Sequence, residues 1–285
     1  MKKIGNYNKL RVVKKVDFGL YLDGEEYGEI LLPQKYVTDD MLPGEEVEIF
    51  LYRDSEDRLV ATTENPYVVV GEVGLLKAKQ VSSPGAFMDW GVMKDLLVPF
   101  REQTEPIEEG RWYLVYVYLD RVTNRIVGST KLNKYIGNKP PRYQPGDEVE
   151  IIVARRAEIG YRVIVDNLHW GMVYKNDVFD TLRIGDVMHG VVKLVRDDGK
   201  VDVTFREQGG ERVFQLARHI VGYLEDNNGV MRLCDKSHPD DIKAVFHCSK
   251  KDFKKALGYL FKRRRILVAD NGVKLLNCQN DKNIQ

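Results

Sequence analysis

The chain has 285 residues, 43% apolar and 31% charged, with a net charge of +1. Those totals are ordinary for a soluble globular protein of two or so domains. No run of about 18 apolar residues occurs, which excludes an apolar membrane-spanning helix. Met1-Lys2-Lys3-Ile4-Gly5 is followed by no apolar stretch, so no secretory signal is expected. Cys234, Cys248 and Cys278 are an odd, scattered set. This argues against a disulfide framework and fits a reducing cytoplasm.

Charge is unevenly spread. Residues 1–65 hold 9 Lys/Arg and 14 Asp/Glu, residues 66–138 hold 9 and 8, residues 139–209 hold 11 and 12, and residues 210–285 hold 15 and 9. A basic C-terminal quarter therefore hides inside a neutral average, which is why charge is read per module.

The first two hundred residues read as short strands rich in Val, Ile, Tyr and Leu, punctuated by Gly, Pro and Asp. They contain one pattern three times. A turn glycine stands in Phe18-Gly19-Leu20-Tyr21, then in Pro84-Gly85-Ala86-Phe87, then in Ile159-Gly160-Tyr161-Arg162. A second glycine, Gly44, Gly110 and Gly185 in turn, follows each at a separation of 25 residues. Between the two glycines lies an apolar strand, and after the second come two strands joined by an acidic turn. One large β-sandwich would leave these equal spacings to coincidence. The repeat predicts three five-stranded, partly open Greek-key barrels of the OB architecture over residues 1–65, 66–138 and 139–209. Pro66, Lys139-Pro140-Pro141 and the polar Glu207 to Glu211 segment are the expected boundaries.

From Val213 the period changes. Phe214, Leu216, Ala217, Ile220, Val221 and Leu224 mark a helix, and Asn227-Asn228-Gly229 ends it. Val230 to Leu233 reads as a short strand. A Ser237 cap with Pro239 starts a second helix. Ser249-Lys250-Lys251-Asp252 starts a third, in the manner of a capping box. Its expected core side is Phe253, Ala256, Leu257, Leu260 and Phe261. A hairpin through Asp270-Asn271-Gly272 closes the chain. Helix, strand, helix, turn, helix and hairpin over residues 210–285 is the winged-helix arrangement, which sets its third helix against nucleic acid. Residues 250–265 hold eight basic residues and one acid.

The order strand, Phe-Gly-x-aromatic, apolar strand, Gly-x-x-Val and hairpin resembles the S1 RNA-binding domain over roughly residues 5–206. Such barrels bind single strands on one sheet face, with aromatic rings under bases and basic side chains along phosphates. The resemblance implies Phe18 and Tyr21 as contacts in the first copy, although this copy is acidic and has Leu31 where a His or aromatic is usual. It implies Phe87, with nearby Trp90, in the second copy. In the third it implies Tyr161 and Arg162 near the turn and Tyr174 at the His position, with Arg155, Arg156, Trp170 and Lys175 around them. Core packing is the competing reading for each ring. In the winged helix the candidate contacts are Lys250, Lys251, Lys254, Lys255, Lys262, Arg263, Arg264 and Arg265; a solvated or protein-docking face is the competing reading.

The whole chain, including Asp235-Lys236-Ser237 and Ser249-Lys250-Lys251-Asp252-Phe253-Lys254-Lys255-Ala256, resembles the bacterial conserved virulence factor B family. That likeness implies an RNA-binding regulator of gene expression. No catalytic constellation is expected. Cys234, His238, His247 and Cys248 lack zinc-site spacing, so neither a metal nor a cofactor is expected. Single-stranded RNA is the expected partner. A DNA-binding transcription regulator that reads through the winged helix, and a protein-docking adaptor, stay open.

Overall fold

The computed structural model describes residues 2–178, 181–205, 211–269 and 272–276. Three closed five-stranded barrels are followed by an α+β module. The first barrel is β1 (Tyr7–Val16), β2 (Gly19–Asp23), β3 (Glu29–Pro33), β4 (Glu46–Arg53) and β5 (Leu59–Thr62). The second is β6 (Val73–Ser82), β7 (Gly85–Asp89), β8 (Leu96–Pro99), β9 (Trp112–Leu119) and β10 (Ile126–Ser129). The third is β11 (Glu148–Ala157), β12 (Gly160–Val165), β13 (His169–Tyr174), β14 (Val187–Val195) and β15 (Val201–Thr204). In each, the third and fifth strands pair in parallel and the other neighbours are antiparallel. Closure removes the exposed edges that a small open sheet would carry.

The two repeated glycines have separate physical reasons. A Cβ on Gly19 would lie 2.1 Å from the Leu32 carbonyl oxygen, on Gly85 2.3 Å from that of Val98, and on Gly160 2.1 Å from that of Val173. At this corner the second strand approaches the third too closely for any side chain. The later glycines, Gly44, Gly110 and Gly185, sit at φ +96°, +80° and +89°, where L-residues are disfavoured. Their amides donate to the carbonyls of Val12, Ala78 and Val153 at 2.8 Å. Each acceptor flanks a bulge in the first strand of its barrel. The bulge bends that strand around the barrel and locks the loop that carries the second glycine. The 25-residue spacing is thus the chain length between two fixed corners.

Alternate residues explain how the barrels join. In β4, Ile49 and Leu51 enter the core of the first barrel, whereas Phe50 and Tyr52 pack into the apolar cluster of the second. Lys94 Nζ donates to the Asp54 carbonyl at 2.6 Å, Arg53 Nε to that of Asn124 at 3.1 Å, and Arg125 pairs with Asp57. In the third barrel, Ile151, Val153, Val163 and Val165 face inward. Ile152 and Ile164 face outward and are buried with Val73 and Ile136 of the preceding segment. Full burial of each such side chain is worth roughly 1.5–3 kcal/mol, so the seam is much more than a tether. The Asn167 side-chain oxygen accepts from Val73 N at 2.7 Å, and Gly137 N donates to the Leu168 carbonyl at 2.8 Å. The Lys139-Pro140-Pro141 segment is strapped down by buried His169, whose Nε2 donates to the Lys139 carbonyl at 3.0 Å while Tyr143 donates to Nδ1 at 3.1 Å. Of the expected third boundary, residues 207–210 lie outside the described residues.

The last module has α1 (Glu211–Asp226), β16 (Val230–Met231), α2 (Pro239–Phe246), α3 (Lys250–Lys262), β17 (Ile266–Ala269) and β18 (Gly272–Leu275), with sheet order β16-β18-β17. This is the winged-helix arrangement. Asp270 and Asn271 of the expected wing turn lie outside the described residues. Ser249 caps α3 by accepting from Asp252 N at 3.1 Å and donating to its carboxylate at 2.8 Å. Two details differ from expectation. His238, not Ser237, stands at the cap of α2; Ser237 Oγ accepts from Cys234 N at 2.9 Å instead. Phe261 is 55% exposed, and Tyr259 is buried in the core in its stead. Tyr259 donates to the Phe205 carbonyl at 2.6 Å, so the end of the third barrel turns this side of α3 inward.

Gly110 and Gly185 share a backbone strain, but only Gly185 meets the neighbouring barrel: a Cβ there would lie 2.4 Å from Leu75 Cδ2 and 2.8 Å from its Cβ, whereas none of Gly110's surroundings lies within 4 Å. Replacing Gly110 by Ala should cost about 1–2 kcal/mol for the left-handed backbone. Replacing Gly185 by Ala should cost roughly 1–3 kcal/mol more through overpacking of the seam. Urea unfolding of both variants checks this; equal losses would show that the seam yields freely.

Candidate nucleic-acid interface

Strand register places the equivalent outer positions of the three barrels. Tyr21 pairs with Leu31, Phe87 with Leu97, and Arg162 with Met172. In the third barrel the ring of the other two copies is therefore replaced by a guanidinium. Tyr174 pairs with Gly160, as Pro33 does with Gly19 and Pro99 with Gly85. The expectation that Tyr174 takes the His position is thus corrected by register: Met172 stands there. Tyr174 is half-buried, and its hydroxyl accepts from Arg196 at 2.7 Å and donates to Asp202 at 3.3 Å. Its ring lies 5.9 Å from Lys193 Nζ.

Two candidate rings are removed by burial. Trp90 is 2% exposed; it packs edge-on against Phe50 of the first barrel at 5.6 Å, and its Nε1 donates to the Lys94 carbonyl at 2.5 Å. Tyr161 is 5% exposed because Arg162, one residue on, takes the outward side of β12. Neither can stack on a base without unpacking a core. Phe18 is 57% exposed at the first-barrel turn, in edge contact with Tyr21 at 6.2 Å. Lys14 Nζ sits 4.9 Å from the Tyr21 ring and also pairs with Glu29. Phe87 is half-buried in a cleft that Pro84, Met93, Arg53 and Arg125 also line.

The basic residues of the third barrel divide. Arg162 sits over the Trp170 ring with its Cζ 3.7 Å from the centroid and donates to Asn133 at 3.2 Å. Burial, and then the adjacent Arg155 guanidinium, hold Arg162 below its ordinary value. Arg155 pairs with Arg162 across the strands. Arg155, Arg156 and Lys175 are exposed, with no ion pair among the described residues.

In the winged helix some of the expected cations are committed to structure. Lys250 Nζ donates to the carbonyls of Ser237 at 2.8 Å and Lys236 at 3.3 Å. Arg263 lies 3.7 Å over Tyr259 and donates to the Phe205 carbonyl at 3.0 Å. Arg265 is partly buried, and exposed Arg264 turns the chain at φ +53°. Lys251, Lys254, Lys255 and Lys262 are exposed. At the pitch of an α-helix these four fall within about 100° of arc, along roughly 16 Å of α3. Gly258 lies on the same side, with nothing within 4 Å of where its Cβ would be. Asp235 approaches Lys254 at 3.8 Å, and Asp252 is engaged by Ser249.

Among the described residues no three metal-ligating side chains converge. Cys234 and Cys248 are in no disulfide, and Cys278 lies outside the described residues.

Burial separates two kinds of aromatic. Trp90→Ala should cost about 3–5 kcal/mol of stability, the range for emptying a large core site. Phe18→Ala should stay within about 0.5 kcal/mol, as surface changes do. Denaturant titration decides; an unfolding midpoint for the Trp90 variant equal to that of the parent chain would contradict its placement.

Residues 4–64 match the S1 domain family, and residues 218–275 match the CvfB-like winged helix domain. A Bacillus subtilis (strain 168) protein named "Uncharacterized protein YitL" is 30% identical over 282 residues, 92% of this chain and 90% of the relative. The Conserved virulence factor B proteins of Staphylococcus haemolyticus and Staphylococcus aureus (strain USA300) are 24% and 25% identical, over 95% of this chain and 94% of theirs. A solved multidomain protein with nucleic acid binding domains from Streptococcus pneumoniae aligns over 96% of this chain and 98% of its own, at 25% identity and a TM-score of 0.41. With an S1 barrel at one end, this winged helix at the other and likeness along nearly its whole length, the chain belongs to the conserved virulence factor B family.

Proposed function

We propose that this chain is a non-catalytic, cytoplasmic binder of single-stranded RNA that acts in the regulation of gene expression. The observation that carries the reading is the lysine row of Lys251, Lys254, Lys255 and Lys262 on one exposed side of α3. Four cations with little acid beside them, on the helix that winged helices turn toward nucleic acid, are arranged to follow a phosphate backbone. Single strands are favoured over duplex by the exposed Phe18 and half-exposed Tyr21 on the first barrel, because a ring can stack only on a base that is free of its own partner. The regulatory role rests on the family resemblance and agrees with the relatives' name, virulence factor.

Binding of a short single-stranded RNA and of a duplex DNA to the full chain, at the same ionic strength, tests this reading. The RNA should bind more tightly; tighter duplex binding would move the function to transcriptional control through the winged helix. Replacing Lys251, Lys254 and Lys255 together by Ala should weaken RNA binding and flatten its salt dependence by about two units of slope, near 0.7 per single-strand phosphate. Lys250 is left in place because it holds the α2–α3 corner. An unchanged affinity and slope in a folded triple variant would assign this face to protein docking.

A further inference from the structure

The seam between the second and third barrels leaves a groove of about 660 Å3. One wall comes from the second barrel and the Thr130–Lys134 turn, the other from the bulge of β11 and the outer face of β12 and β13. Trp112 on the first wall is 59% exposed, and Ile184 on the second is 53% exposed. Trp is enriched in recognition surfaces relative to the rest of a protein's surface. Arg155 and Arg162 lie side by side on the second wall, and Lys131, whose Nζ donates to the Arg101 carbonyl at 2.7 Å, lies on the first; Lys134 is paired with Glu102, and Glu105 is the one acid among the described lining residues. Arg155 has no counter-ion among the described residues, and its guanidinium stands beside that of the half-buried Arg162 across the strands. The groove thus offers an open indole and two adjacent guanidiniums, one of them already over a second indole. A nucleotide carries the matching parts, a planar base and a phosphate for two forked donors.

We infer that this inter-barrel groove is the principal single-strand site of the chain, with a base on Trp112, a phosphate on Arg155 and Arg162, and the Arg162–Trp170 stack as its rigid floor. The inference rests on the RNA reading above and narrows it. The site belongs to neither barrel alone. It exists because Ile152, Ile164, Val73 and Ile136 weld the two together, so it is formed before the ligand arrives and little ordering is required on binding.

Trp112 and Arg155 are both exposed and outside the seam cluster, so each can be changed without opening it. The test is titration of the full chain with a short oligouridylate, read by polarisation of the labelled oligonucleotide and by tryptophan emission. Trp112→Ala should lower affinity by about tenfold, within the range for loss of one stacked base, and Arg155→Ala by a similar factor through loss of a charge-assisted phosphate contact. Phe18→Ala should lower it less. Oligouridylate should quench the parent chain's emission, and most of that quenching should vanish in Trp112→Phe, since Trp90 is buried and the Trp170 ring is covered by Arg162. Parent-like affinity in both groove variants would overturn the site while leaving RNA binding intact. Equal quenching of Trp112 by oligoglutamate would overturn it in favour of an acidic protein partner. Failure of the parent chain to bind oligouridylate at low salt would overturn the RNA reading itself, and the groove with it.

Discussion

The apolar seam between the second and third barrels is the constraint on which the proposed nucleic-acid surface depends. Ile152 and Ile164 point out of their own barrel and would be wet in an isolated copy; here both are buried. Gly185 turns its loop at φ +89° and, having no side chain, lets the loop lie against Leu75. The outer face of β12 and β13 is therefore half covered by the second barrel. Half-buried Arg162 and Trp170 of that face line the groove that remains open beside the seam. A small OB-type barrel can bury only a limited core, and these barrels add to theirs by sharing surface with a neighbour.

The chain uses its positive charge in two ways. Arg53, Lys94 and Arg125 hold the first two barrels together by reaching backbone carbonyls and Asp57. Lys250 and Arg263 do the same within and beneath the winged helix. These groups are locked by geometry and have little left to offer a ligand. Arg155, Arg156, Lys251, Lys255 and Lys262 have no such engagement among the described residues. Counting lysines and arginines thus overstates the nucleic-acid surface, and the structural bonds show which charges are spare. The acidity of the first barrel fits this division, because Asp54 and Asp57 lie at its junction with the second barrel.

Much of the fold was legible because two corners recur at a constant separation and each demands glycine for a reason that no other residue satisfies. The bulges that lock those corners were not legible, since a bulge has no fixed residue signature. Register was the weak point in the third copy: alignment by residue type put Tyr174 at the His position, and the ladder puts Met172 there. Trp90 was misread for a different reason. Its burial comes from Phe50 of another barrel, and a repeat examined copy by copy contains no such contact. A signal for the seams was nevertheless present. Ile49-Phe50-Leu51-Tyr52, Ile151-Ile152-Val153 and Val163-Ile164-Val165 are continuous apolar runs in strands whose period should alternate. A strand that is apolar on both sides has a partner on both sides. Phe261 failed in the opposite direction, since helical spacing matched the core stripe while the end of the third barrel drew Tyr259 inward instead.

If two fused barrels present one preformed groove to a single strand, both walls of that groove respond to RNA as a unit. Hydrogen exchange of the full chain with and without a saturating short RNA measures this most directly, because it reports every segment at once. New protection is expected in the segments of Trp112, Lys131, Arg155 and Trp170 together, with the seam strands already slow to exchange in the free chain. Protection confined to α3, or seam strands that become slow only when RNA is present, would contradict it.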